Sequence, residues 1–198
     1  MTSTPRKVLA VGAHPDDIEL GCLGTLMRWQ TSTRAVVLSG SKERVRESRS
    51  ALKRAGFGDL HAYDLKDCGL SYSLRAATDI IEAHIDEFDP DVILTQTRWD
   101  THPDHRAVCD SVFSAARRRP ISIYGYHIIS STQAFPVNMI VDVTTVLDRK
   151  LASLACHKSQ AGKCYFDPSW LVEWHREKTA TSVGIAAAEL FHVFQTFQ

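Results

Sequence analysis

The chain has 198 residues, 44% of them hydrophobic and 23% charged, and its 23 basic and 23 acidic side chains cancel. That length supports a substantial core in one domain, and the lack of a basic surplus argues against nucleic acid or an anionic membrane as the main partner. The five cysteines are odd in number and nowhere spaced as CxxC, which fits reduced thiols and a cytoplasmic setting better than a disulfide framework or a thiolate zinc site. The apolar stretch near the N-terminus is too short for a signal peptide, and no window of about 18 apolar residues offers a membrane span.

Short apolar runs alternate with amphipathic segments. Val8–Gly12 has the pattern of a buried strand, Ile18–Gln30 that of a helix, and 34–40 that of a second strand. Over 42–57, Val45, Leu52 and Ala55 share one helical face, with Gly56 as the stop. A strand follows over 60–65, a helix over 74–88 and a buried strand over 91–96. The segment 102–119 opens as a helix with proline in its first turn. Strands are expected at 121–129 and 137–143, and a helix at 144–160. Residues 169–190 are expected to be helical in parts, and 191–197 alternates like a strand. Strands separated by helices predict an α/β fold over residues 1–198: a Rossmann-like, mostly parallel sheet with helices on both faces. Ligands of such sheets bind at the carboxyl ends of the strands.

Two polar clusters fall there. "AHPDD" puts His14 and Asp17 three residues apart with Asp16 beside them, and "THPDH" repeats that spacing with His102 and His105 around Pro103 and Asp104. Groups at i and i+3 converge if a helix starts at the proline. Adjacent carboxylates repel, and a bound dication offsets that repulsion. Two imidazoles and a carboxylate suit zinc with an open position for water, and the same set accepts iron(II) or another divalent metal. Taken singly, each residue has a plainer explanation. An aspartate at a strand-to-helix junction is commonly an N-cap, and His61, His84, His127, His157, His175 and His192 read as structural. Two HPD tripeptides at equivalent strand ends shift the balance toward a metal. GxGxxG, GxxxxGK[ST] and GxSxG are absent, which counts against a nucleotide-binding module and a serine nucleophile.

"AHPDDIELGCLGTL" with a downstream "HPDH" resembles the PIG-L/LmbE family of zinc-dependent N-acetylglucosamine deacetylases, and the likeness extends to Glu47–Ala51, "PDVILTQ" and "HKSQ". The resemblance implies that His14, Asp17 and His105 bind zinc and that Asp16 is the general base. It implies a protonated His102 that stabilises the oxyanion or donates a proton, with Asp104 as its carboxylate partner. The implied substrate is a small N-acetylated amino sugar or glycoside; the alternative is an amide in a thiol conjugate or another secondary metabolite. A homo-oligomer is compatible with this reading. Arg44 and Arg46 lie where relatives present an arginine to sugar hydroxyls, and Arg46 is taken as the contact. Trp99 is either a sugar platform or core, and Trp170, Trp174 and His175 are positioned to cover a pocket. Leu23 replaces a glycine common in relatives, and Thr101 an arginine that often precedes HPDH.

Overall fold

The computed structural model describes residues 4–176 and 183–197. Seven strands form one sheet: β1 Lys7–Gly12, β2 Ser32–Val37, β3 Asp59–Ala62, β4 Val92–Thr95, β5 Ser122–Tyr126, β6 Met139–Asp142 and β7 Ala188–Gln195. Their order is β3-β2-β1-β4-β5-β7-β6. The first five are mutually parallel, while β7 runs antiparallel to both β5 and β6. From β1 the chain winds outward through β2 and β3, then returns to lay β4 and β5 on the other side. That reversal leaves a crevice beyond the carboxyl ends of β1 and β4, where sheets of this kind bind ligands.

Both faces of the sheet are covered, which is why β1 is a continuous apolar run. Successive strand side chains point to opposite faces. Val8 and Ala10 join one core layer with Leu26, Leu52 and Leu154, whereas Leu9 and Val11 join the other with Ile81, Ile85, Val108 and Val112. The second layer is built by α4 Leu74–Phe88 and α5 Pro103–Ala116; the first draws on α1 Asp17–Gly21, α2 Leu23–Trp29, α3 Lys42–Ala55 and α6 Leu147–Leu154. The last α-helix described, α7, spans Pro168–His175. Among the described residues, no helix is long and apolar enough to cross a membrane.

The mostly parallel α/β sheet is as expected, and α3 ends at Gly56, whose φ is 101°. The helix expected over 18–30 is instead two, broken at Cys22. In an unbroken helix the Gly24 N–H would bond to the Leu20 carbonyl. Here the N–H groups of Gly24 and Thr25 each donate to the Glu189 carboxylate at 2.7 Å, and the Leu20 carbonyl accepts from Lys150 Nζ at 2.7 Å. Lys150 also pairs with Glu189 at 2.6 Å and meets His175 Nε2 at 2.8 Å. A buried ion pair thus inserts into the helix and restarts it, with the carboxylate at the positive end of α2. Gly24 is needed beside it: a Cβ would lie 2.8 Å from Glu189 Oε1.

The helix expected over 144–160 is α-helical only across Leu147–Leu154. Beyond it the chain turns to dock on α1 and α3. Ser159 donates from N and Oγ to Glu47 at 2.8 and 2.6 Å, and His157 Nε2 lies 3.2 Å from Glu19. In 169–190, α7 supplies the helix, residues 177–182 lie outside the described residues, and β7 begins at Ala188.

Removing Lys150 strands a buried carboxylate. The Lys150→Met variant is expected to lose about 3–5 kcal/mol in urea denaturation. Burial, and then the Lys150 charge, lower the pKa of His175 to about 4. Unfolding restores its ordinary value near 6.5. Stability from this group is therefore complete above pH 6.5 and is lost as pH falls toward 4, because the unfolded chain takes the proton first. Denaturation curves across that window should show a smaller loss in His175→Gln than in the parent.

Candidate active site

The loop after β1 carries His14 to Asp17, and the loop after β4 leads to His102 and α5. Ala13 N–H donates to Gln96 Oε1 at 2.9 Å, joining the two loops at their roots. Pro15 packs on Gly40, where a Cβ would lie 2.5 Å from the proline ring. The turn forces Asp16 to φ 113°, a conformation that costs a non-glycine residue on the order of 1–3 kcal/mol and recurs at functional sites. On the other side, His102 caps α5: its Nδ1 accepts from the Asp104 N–H at 3.2 Å, and Pro103 follows in the first turn.

The fold brings the two tripeptides together. Asp17 bridges the clusters, with Oδ2 at 3.5 Å from His14 Nδ1 and Oδ1 at 3.4 Å from His105 Nε2. The ring of His102 stacks on His105 at 4.6 Å and meets His14 edge-on at 4.9 Å. Potential ligand nitrogens of His14, His102 and His105 all lie within 4.8 Å of one another. Behind the rings stand further carboxylates. Asp100 Oδ2 is 2.9 Å from His105 Nδ1 and accepts from Ser130 Oγ at the same distance. Asp104 Oδ2 is 3.3 Å from His14 Nε2, and Asp67 Oδ1 is 3.2 Å from that nitrogen.

Charge shapes the titration of each group. Burial opposes a charged His14, but the surrounding aspartates, Asp17 first, raise its pKa to about 9. Burial also opposes an ionised Asp17; His105 and His14 outweigh it and hold the carboxyl well below the usual range. His105 is raised against its burial by Asp17 and Asp100. Burial, reinforced by Asp17, pushes Asp16 up to about 7, partly offset by Arg44. His102 is shifted down by burial and by the neighbouring His105 and His14.

A cavity of about 450 Å³ opens over the cluster, within the range of small-ligand sites. His14, Asp16, Asp17, His102 and His105 form its floor; Arg44, Asp67, Lys163 and Tyr165 stand on its walls. Two expectations need correction. Asp104 does not serve His102 with its carboxylate, which is held by the N–H groups of Cys68 at 2.8 Å and Leu70 at 3.0 Å and faces His14. His102 Nδ1 accepts the backbone N–H of Asp104, which leaves Nε2 as the protonated nitrogen of the neutral ring, and burial with the neighbouring His105 and His14 lowers its pKa. Arg46 is exposed and outside the cavity, whereas Arg44 enters it and donates to Pro15 O and Asp16 Oδ1, each at 2.9 Å. Residues two apart on a helix lie on different faces.

Trp99 stacks on Phe194 at 5.6 Å in an aromatic cluster apart from the cavity. Trp174 stacks on His127 at 4.9 Å and on Trp170 at 5.2 Å, and His175 is buried against Lys150, so none of the three lines the cavity. Thr101 donates from N and Oγ to Ser130 O at 2.9 and 3.0 Å, pinning the loop that carries Ser130. Asp67, Lys163 and Tyr165 had no motif to reveal them; only the position of Asp67, in the loop beyond the carboxyl end of β3, signals the site.

The donor set suits a divalent ion. Imidazole and carboxylate are the ligand types of zinc and iron(II). After Arg44 answers Asp16, the carboxylates of Asp17, Asp67, Asp100 and Asp104 still face the imidazoles with no Lys or Arg side chain bonded to those carboxylates among the described residues. The raised pKa of His14 reflects that surplus of negative charge.

The family model "PIG-L: GlcNAc-PI de-N-acetylase" matches residues 9–116, which include both tripeptides. The Escherichia coli (strain K12) protein "Uncharacterized deacetylase YaiS" is 35% identical over 173 residues, covering 77% of this chain and 90% of that protein. The Thermococcus kodakarensis "Diacetylchitobiose deacetylase" is 26% identical over 188 residues, covering 78% and 70%. Among solved structures, the N,N'-diacetylchitobiose deacetylase of Pyrococcus horikoshii superposes with a TM-score of 0.78 at 19% identity, over 96% of this chain and 84% of that one. With both motifs converging at one crevice and the matched region spanning them, the chain belongs to the PIG-L family of de-N-acetylases.

Proposed function

We propose that this protein is a zinc-dependent hydrolase that removes the acetyl group from an N-acetylglucosamine-type amino sugar or glycoside. The observation that carries this reading is the convergence of Asp16 with His14, Asp17 and His105 on the floor of one sugar-sized cavity. Relatives described as diacetylchitobiose deacetylase and as probable N-acetyl-α-D-glucosaminyl L-malate deacetylase support the substrate class.

His14, Asp17 and His105 would hold the ion. When bound, it lowers the pKa of a water and polarises the acyl carbonyl. The other steps belong to the chain. Asp16, fixed by Arg44 and by its strained backbone, takes the proton of the attacking water and returns it to the departing amine nitrogen. His102 donates its Nε2–H to the carbonyl oxygen as negative charge develops there, and a neutral ring suffices for that role. Burial of the floor keeps bulk water from competing for these hydrogen bonds. Arg44 spans Asp16 and the cavity wall, so it also meets a hydroxyl of the bound sugar.

Metal-loaded protein incubated with N-acetylglucosamine, its glycosides, diacetylchitobiose and the malate glycoside should release acetate from at least one of them. No release from any, with full metal occupancy, defeats the sugar assignment. Asp16→Asn is expected to retain the metal and lose about 10²–10⁴-fold in kcat, while His105→Ala loses the metal. Equal metal content in the two variants contradicts these roles. Arg44→Ala should lower kcat/KM by about 10- to 100-fold, the loss of one charge-assisted hydrogen bond, and Arg46→Ala should stay within about twofold.

A further inference from the structure

Asp100 and Asp104 stand in matching relation to the two imidazoles proposed to hold the metal. Asp100 Oδ2 faces Nδ1 of His105, leaving Nε2 toward Asp17. Asp104 Oδ2 faces Nε2 of His14, leaving Nδ1 toward Asp17. Each carboxylate is held from behind: Asp100 by Ser130 Oγ and the His102 N–H, Asp104 by the amides of Cys68 and Leu70. Cys68 adopts a left-handed backbone, φ 56°, in the turn that aims its N–H at Asp104. Asp104 is fully buried and does not line the cavity, so it touches neither substrate nor reacting atoms.

We infer that Asp104 is a positioning residue for His14: it accepts the Nε2 proton, fixes the ring so that Nδ1 is the ligating atom, and ties that ligand to the 67–70 loop. The inference rests on the metal reading above. A metal-bound imidazole commonly gives its other N–H to a carboxylate, and that partner tunes affinity. The backbone N–H of the same residue holds His102 Nδ1. One residue in the first turn of α5 therefore orients two rings, the side chain serving one and the main chain the other. Asp67 also approaches His14 Nε2 and is hydrogen-bonded by Cys68, but its side chain is 62% exposed, whereas that of Asp104 is fully buried.

Zinc affinity, read by competition with a chromophoric chelator, tests this. Wild-type protein that fails to bind one zinc overturns the metal reading and this inference with it. If wild type binds, Asp104→Asn should weaken zinc about 10- to 100-fold, and Asp67→Asn should change it by less than about threefold. An unchanged affinity in Asp104→Asn, or a larger loss in Asp67→Asn, overturns the inference while leaving the metal reading intact. Should Asp104→Asn fail to fold, nitrogen-15 imidazole spectra of zinc-loaded wild type decide the matter without it. A proton on His14 Nε2 with a metal-shifted Nδ1 supports the assignment, and a metal-shifted Nε2 overturns it.

Discussion

Five aspartates converge on three imidazoles at the carboxyl edge of β1 and β4, and most of what surrounds them serves to hold that charge in place. Burying several carboxylates close together is strongly unfavourable unless each finds a donor or a cation. The structure supplies donors one by one. Arg44 reaches Asp16, the His14 N–H reaches Asp17 at 2.7 Å, Ser130 reaches Asp100, and two loop amides reach Asp104. These donors reach across from separate loops and from α3, so the loops beyond β1, β3, β4 and β5 and the helix after β2 are all fixed by one electrostatic problem.

A second buried charge cluster on the same molecule shows what a self-contained solution looks like. Lys150 and Glu189 pair at 2.6 Å and satisfy their remaining valences with the ends of α1 and α2 and with His175. The cation there belongs to the chain. That cluster welds α6, α7 and β7 to the broken helix and lines no sizeable cavity, whereas in the Asp–His cluster Arg44 answers Asp16 alone and the cluster opens onto a 450 Å³ cavity. The contrast separates a stabilising ion pair from a site built to receive a ligand, although both contain buried carboxylates at helix ends.

Much of this was legible from periodicity and spacing. The helix over 74–88 lies where its amphipathic pattern puts it, and the two tripeptides fall at strand ends because the apolar runs before them are unmistakable. The sequence points to Arg46 as the sugar contact, yet helical period separates it from Arg44. The buried face of α3 comprises Ser48, Ala51, Leu52 and Ala55, and Arg44 continues that stripe at intervals of four, seven, eight and eleven, while Arg46 falls off it. The helix break at Cys22 was not legible, since its cause, Glu189, lies 165 residues away from Gly24. Nor was the short span of α6, set by Glu47 and Glu19 capturing the turn that follows. Local propensity cannot register a partner that only the tertiary fold delivers.

The two HPD tripeptides are alike in sequence and unlike in conformation, and that difference assigns their aspartates. In the first, the strand exits into a turn packed on Gly40, Asp16 is left-handed, and its carboxylate points into the cavity beside Arg44. In the second, the histidine itself caps a long helix, so the aspartate sits inside the first turn with its carboxylate directed under the 67–70 loop. Had both formed the same turn, two carboxylates would compete for the cavity floor and only the exposed Asp67 would remain beside His14 Nε2. The asymmetry follows from what comes next in each case. From Asp17 the helix lasts five residues before the Lys150–Glu189 pair breaks it, and after His105 it runs on to Ala116 against the sheet. Identical tripeptides thus place one carboxylate at the cavity and the other beneath a loop, at the starts of helices that differ in length and in neighbours.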